Sequence, residues 1–185
     1  MLRIAHATVL ATTLSCGYGG AIMAATVESP EIHNPALDRV AHLIAENDFE
    51  TAKAEANALI VKHARATQKA ELSLAGGAYA ALGRIFTTEA TREDAQGRTL
   101  WANNAYADAR WAYLNAMTCL VADDEQAASA LVEAGNCYAR LARVESDARD
   151  NAVRTWKAVL RWYPDSHAAT LARGQLKGAG VTVND

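Results

Sequence analysis

The sequence predicts an all-α protein of antiparallel helix-turn-helix repeats, about three pairs and a C-terminal capping helix in a short solenoid. Three observations carry this. The stretch LVEAGNCYARL, Leu131 to Leu141, lies on LSLAGGAYAAL, Leu72 to Leu82, with Leu, Ala, Gly, Tyr, Ala and Leu at the same offsets. Alanine supplies much of a 51% hydrophobic fraction while aromatics make up only 6%, and the prolines are confined to Pro30, Pro35 and Pro164, a composition that favours helix. Apolar residues also recur three and four apart along most of the chain. The 21% of charged residues mixes both signs to a net charge of −3, so no basic stripe offers itself to a phosphate backbone and nucleic acid is not implied.

Residues 1–25 stand apart as an expected signal peptide. Arg3 gives a small positive start, Ile4 to Leu14 is apolar, and Ala21 to Ala25 supplies small residues for cleavage. Gly17, Gly19 and Gly20 interrupt the segment before the roughly 20 apolar residues a spanning helix needs. TLSC, ending at Cys16, loosely resembles a bacterial lipobox, with Thr13 where Leu is usual, so a lipid anchor at Cys16 is the alternative to release. The expected location is the periplasm or outside the cell, or the outer membrane if Cys16 is lipidated. Residues 26–33 are expected to be extended, 34–178 to form the repeat domain, and 179–185 to be a flexible tail.

The helices follow in order. Asn34 and Pro35 form a cap and first-turn pair, and Leu37, Val40, Leu43 and Ile44 recur at helical spacing until Asn47 and Asp48. From Phe49, Ala52, Ala56, Leu59, Ile60 and His63 share a stripe on an antiparallel partner. A helix from about Gln68 to Phe86 carries the first quoted stretch. Thr87 to Thr99 is polar and mixed in charge, contains Gly97 and has no apolar stripe, so a solvated loop is expected there. Helix resumes with Trp101, Ala105, Ala109, Ala112, Tyr113 and Ala116. Asp123 and Asp124 cap the helix bearing the second stretch, Ala152, Trp156, Val159 and Leu160 mark the next, and Asp165 with Ser166 start a last one that Gly178 can end.

These pairs resemble the tetratricopeptide repeat. Leu131, Ala134, Gly135 and Tyr138 match its first-helix positions and Ala152, Trp156, Val159 and Pro164 its second; Leu72, Ala75, Gly76 and Tyr79 match again, followed by Ala109, Tyr113 and Ala116. A small Gly lets the paired helix come close, and Tyr three residues on fills the space beside it. The stretch WYPDSHAATLA, Trp162 to Ala172, looks most like the bacterial envelope members of the family, of the Tol-Pal cell-division coordinator and barrel-assembly lipoprotein kinds. The intervals from Tyr79 to Ala109 and from Tyr138 to Ala152 are longer than the family's, which puts a regular superhelix in doubt near Thr87 to Trp101.

The resemblance implies a binding role. In the family, the first helix of each pair lines a concave groove, and the positions flanking Gly and Tyr point into it. Here these are Ser73, Gly77 and Ala81, with Val132, Asn136 and Arg140. Asn136 offers amide hydrogen bonds and Arg140 a fork for a carboxylate. The matching first-unit positions, Leu37, Ala41 and Ile44, are apolar, so the family's full carboxylate clamp is not present. The expected partner is a protein or peptide of the cell envelope, bound by a non-enzymatic scaffold that needs no cofactor or metal.

Catalytic patterns are hard to find. His33, His42, His63 and His167 lack the helical metal-site spacing, and His42 and His63 are expected at the surface or its boundary. There is no G-x-S-x-G, phosphate loop or C-x-x-C; GAGV, Gly178 to Val181, reads as a helix stop. The alternative reading is a helical-bundle hydrolase or small-ligand-binding protein without a recognisable motif. Cys119 and Cys137 lie on consecutive helices whose turn is centred near Ala122, which leaves them well over 10 Å apart along the pair. Two free, buried thiols are expected.

Overall fold

The computed structural model describes residues 34–121 and 123–182. Helices α1 (Pro35–Ala45), α2 (Phe49–His63), α3 (Lys69–Ala95), α4 (Thr99–Cys119), α5 (Asp124–Leu141), α6 (Ala148–Trp162) and α7 (His167–Gly178) account for nearly all of them, with no strand among the described residues. The expected signal segment, Cys16, residues 26–33 and residues 183–185 lie outside the described residues.

Helix starts follow local chemistry. Asn34 accepts from the Ala36 amide at 3.0 Å, Asp123 from Gln126 at 2.9 Å and Ser166 from Ala169 at 3.1 Å. The α7 start has a second, tertiary cap, because the Glu125 carboxylate of α5 accepts from the amides of His167 at 3.0 Å and Ala168 at 3.3 Å. Helix ends are equally local. Asn47 (φ 60°), Gly97 (φ 72°) and Gly180 (φ 77°) take the left-handed conformation just past α1, α3 and α7. In each case the next residue's amide reaches back over the last turn, Asp48 to Leu43, Arg98 to Glu93 and Val181 to Leu176, all at 2.9 Å. Residues 179–181 therefore end α7 with Val181 packed on the core, rather than beginning the flexible tail expected from residue 179. The α5 end has Arg143 where such a residue would stand, and six residues, Ala142 to Asp147, are spent before α6.

Thr87 to Thr99 is not a loop. Helix α3 runs to Ala95 over 27 residues, and only Gln96 to Arg98 connect it to α4. Ala90 is fully buried, Glu89 pairs with Lys53 of α2 at 2.7 Å, and Asp94 pairs with Arg143 at 2.7 Å. The apolar face here is not legible in the sequence because it is made of a small residue, Ala90, covered by Tyr106 of α4, which continues a register set in the first half of α3. A Cβ at Gly76 would fall 2.7 Å from Leu120, and one at Gly83 would fall 2.6 Å from the Tyr113 ring. The pairs are seven residues apart on both antiparallel helices. Ala90 and Tyr106 hold the next step of that register and share one core cluster.

The core is strung out in three clusters along the chain. The first joins α1, α2 and α3 with Ala112 of α4; the second joins α3, α4 and α5 with Ala148 of α6; the third joins α5, α6 and α7. Tyr79 and Phe86 touch the first and second, and Tyr138 and Tyr163 touch the second and third, so each cluster is tied to the next. Consecutive helices pack on each other throughout. Beyond these neighbours, α1 also packs on α3 and α5 on α7, whereas α3 and α5 lack such a broad contact.

Two measurements test this packing. Gly135 meets Trp156 Cδ1 at 2.6 Å from an added Cβ, while Gly174 meets nothing within 4 Å. Gly135→Ala is expected to lower stability by about 1–3 kcal/mol through overpacking. Gly174→Ala is expected to raise it by about 0.5–1 kcal/mol through helix propensity. Urea unfolding of both variants checks the opposite signs. Replacing residues 87–99 by a short Gly/Ser linker is expected to remove much of the far-ultraviolet helical signal and the cooperativity of unfolding; retention of both would show that this tip of the α3–α4 pair is dispensable.

Candidate functional site

Where α3 and α5 part, an open cleft of about 350 Å³ is left. Thr87 and Thr91 of α3 form one side, Glu133, Asn136 and Arg140 of α5 the other, with Tyr106 of α4 and Gln175 of α7 completing it. The threonine hydroxyls donate to the backbone carbonyls one turn back, Thr87 to Gly83 at 2.8 Å and Thr91 to Thr87 at 2.9 Å; Thr87 also lies within hydrogen-bonding reach of the buried Tyr113 and Cys137 side chains, whereas Thr91 keeps lone pairs as an acceptor. Asn136 is half-buried and donates to Glu133 Oε2 at 3.2 Å. Arg140 is exposed and has no carboxylate partner among the described residues. Its neighbours differ, since Arg110 pairs with Glu145 at 2.6 Å and lies 4.8 Å over the Tyr138 ring, and Arg143 holds Asp94.

The six positions singled out by the resemblance divide. Asn136 and Arg140 line the cleft. Ala81 and Val132 do not, because Ala81 is buried with Val40 and Ile60 in the first cluster and Val132 with Trp156 and Val159 in the third. Gly77 is covered by Leu37 of α1, whose side chain an added Cβ would meet at 2.8 Å. Ser73 is half-buried, and its hydroxyl is buried without a hydrogen-bond partner. The α1–α3 contact closes the middle unit's face, and the missing α3–α5 contact leaves the third unit's face open. Thr87, Thr91, Tyr106, Glu133 and Gln175 were not expected there. The threonines were hidden by the loop reading, although their spacing of four from Gly83 is itself a helical signal.

Cys137 lies on the floor of the cleft, and burial pushes its thiol from an ordinary 9.0 up to about 12, so it is a poor nucleophile. No histidine lines it. Cys119 and Cys137 are both buried and free, as the helix register predicts. His63 corrects its expected placement: it is buried at the end of α2, its Nδ1 unbonded and 3.9 Å from Glu71, whereas His42 is exposed beside Glu46. Among the described residues, no group of three His, Cys, Asp or Glu is placed to hold a metal ion, and no helix is long and apolar enough to cross a membrane.

No family model, curated protein or solved structure matches this chain. The likeness to the tetratricopeptide repeat therefore rests on the sequence positions quoted for it.

The buried thiol gives a pH prediction. The folded state holds the Cys137 proton up to about 12 while the unfolded chain releases it near 9.0. This contribution is fully present below pH 9.0 and is lost as pH rises toward 12, with a slope of up to about 1.4 kcal/mol per pH unit. Burial raises the Tyr113 phenol in the same direction and adds to the loss above pH 10.0. Urea unfolding of wild type and Cys137→Ala across pH 8 to 11 is expected to show a shallower alkaline decline in the variant. Native protein at pH 8 is expected to leave Cys137 unmodified by iodoacetamide, read by peptide mass mapping.

Proposed function

We propose that this chain is an exported helical-repeat scaffold of the bacterial cell envelope that holds a segment of a partner protein in the cleft between α3 and α5. The observation that carries this is Arg140, without an ion-pair partner among the described residues, beside the half-buried Asn136 and its acceptor Glu133 in an open cleft whose opposite wall offers the Thr91 oxygen. A peptide main chain presents alternating donors and acceptors. Such a wall can satisfy both, and the guanidinium adds a fork for a side-chain or terminal carboxylate.

The tetratricopeptide reading is supported by the order of packing. Helix α2 packs on α1 and α3, α4 on α3 and α5, and α6 on α5 and α7, while α1 with α3 and α5 with α7 form the inner row. The repeated three-residue connections, Glu46 to Asp48 and Gln96 to Arg98, each with a left-handed centre, add a structural repeat to the sequence one. In this reading α7 is the capping helix. A catalytic role has less support, since the cleft couples no base to its protonated thiol.

Affinity capture from envelope extracts tests the assignment. Asn136→Ala combined with Arg140→Glu is expected to reduce recovery of captured partners at least about tenfold, as loss of a charge-assisted contact would. Thermal stability should stay within about 0.5 kcal/mol, as for surface substitutions. Equal recovery of the same partners by the variant and the wild type would refute the cleft as the binding site.

A further inference from the structure

A second cleft, of about 500 Å³, opens where α7 stops short of the far ends of α5 and α6. Trp156, only 4% exposed, forms one wall with Ala152 and Val153, and Ala142, just past the end of α5, closes it. The polar side chains on its lining are Arg149, Gln175 and Trp156, whose buried Nε1 has no hydrogen-bond partner and lies against Gly135 of α5. We propose that this cleft is a site for a small amphipathic monocarboxylate, its apolar body against Trp156 and Val153 and its carboxylate at Arg149.

The lining selects that chemistry. The side chains of Ala142, Ala152 and Val153 carry no donors or acceptors, and the free backbone groups nearby are those of the α5 end and of the first turn of α6 beside Arg149. Against the Val153 and Trp156 wall a peptide would bury its own amides unmatched, at a cost an aliphatic or aromatic body does not incur. The volume lies in the range of about 300–1,000 Å³ that small-molecule sites occupy. Charge decides the head group. Arg149 has no carboxylate partner among the described residues, whereas Arg98, Arg110 and Arg143 each hold one. The adjacent Asp150 projects about 100° around the helix from it, and Asp147 already accepts from Asn151 at 3.1 Å. Gln175 supplies an amide donor to a second carboxylate oxygen. Unlike the α3–α5 cleft, this one places an apolar slot beside a single free cation.

Isothermal titration of the full chain with octanoate, 1-octanol and acetate tests the proposal. Octanoate is expected to bind saturably at one site, 1-octanol more weakly, and acetate not measurably. Arg149→Gln is expected to weaken octanoate about tenfold and leave 1-octanol within about twofold, because a charged contact is lost and the apolar slot remains. Ala142→Phe, at the exposed end of α5, should fill the slot and remove both, with circular dichroism unchanged. Asn136→Ala with Arg140→Glu should leave octanoate binding as it is. The proposal is overturned by absence of saturable octanoate binding up to millimolar concentration, by equal affinity for octanoate and 1-octanol, or by an unchanged octanoate affinity in Arg149→Gln or Ala142→Phe. A loss of octanoate binding in the Asn136 and Arg140 variant would also overturn it, by moving the ligand to the other cleft.

Discussion

The close approach of helix backbones at glycine is the constraint on which the rest of the molecule depends. Gly76 and Gly83 let α4 seat Leu120 and Tyr113 directly on the α3 backbone, and Gly135 does the same for Trp156 of α6 on α5. A methyl group at any of these positions would stand within 2.7 Å of its neighbour, inside van der Waals contact. With large side chains drawn from one helix of each pair and small ones from the other, the pairs interlock with few aromatic residues. A chain with so much alanine then builds a core from depth of contact rather than from bulky side chains.

That constraint also sets where the surface can be used. Gly77 and Asn136 occupy the same place in the two copies of the repeated stretch, as do Ala81 and Arg140. On α3 the first pair is sealed, Gly77 by Leu37 and Ala81 by the cluster that α1 and α2 complete. On α5 the second pair faces the space that α3 does not fill. The length of α3 is part of the reason, because its last three turns serve α4 and the paired charges around Glu89 and Asp94 instead of lying along α5. The exposed ion pairs at that tip contribute little each, on the order of 0–1 kcal/mol, but they fix which side chains remain free. Arg140 and Arg149 are among the several arginines that this network leaves without a carboxylate, and they are the two that line the clefts.

Both clefts border one helix end. Ala139 and Gln175 line both, so the last turn of α5 is a ridge with a polar, bidentate face on one side and an apolar slot on the other. The α5 end differs from those of α1 and α3 in lacking a left-handed residue, and the longer Ala142 to Asp147 connection is held down by Arg110 to Glu145 and Arg143 to Asp94. A tight turn of the α1 or α3 kind would bring α6 in sooner and leave less open surface beside Trp156.

By itself the sequence determined the helical class, the sites of the caps at Asn34, Asp123 and Ser166, the close approach at Gly76 and Gly135, and the two unpaired cysteines. These follow from properties a residue carries with its near neighbours: a side-chain oxygen that reaches an amide two or three positions on, a missing Cβ, a fixed rise per residue. Tertiary structure alone decided that Thr87 to Ala95 is helix, because its small residues gain an apolar surface only when Tyr106 and Tyr113 of α4 lie over them. It alone decided that His63 is buried, that Ala81 and Val132 belong to cores, and that Asn136 and Arg140 stay open. The two copies of one stretch carry the same helical face, and nothing within either copy records whether a neighbouring helix will cover it; only the distance between α1, α3 and α5 settles that.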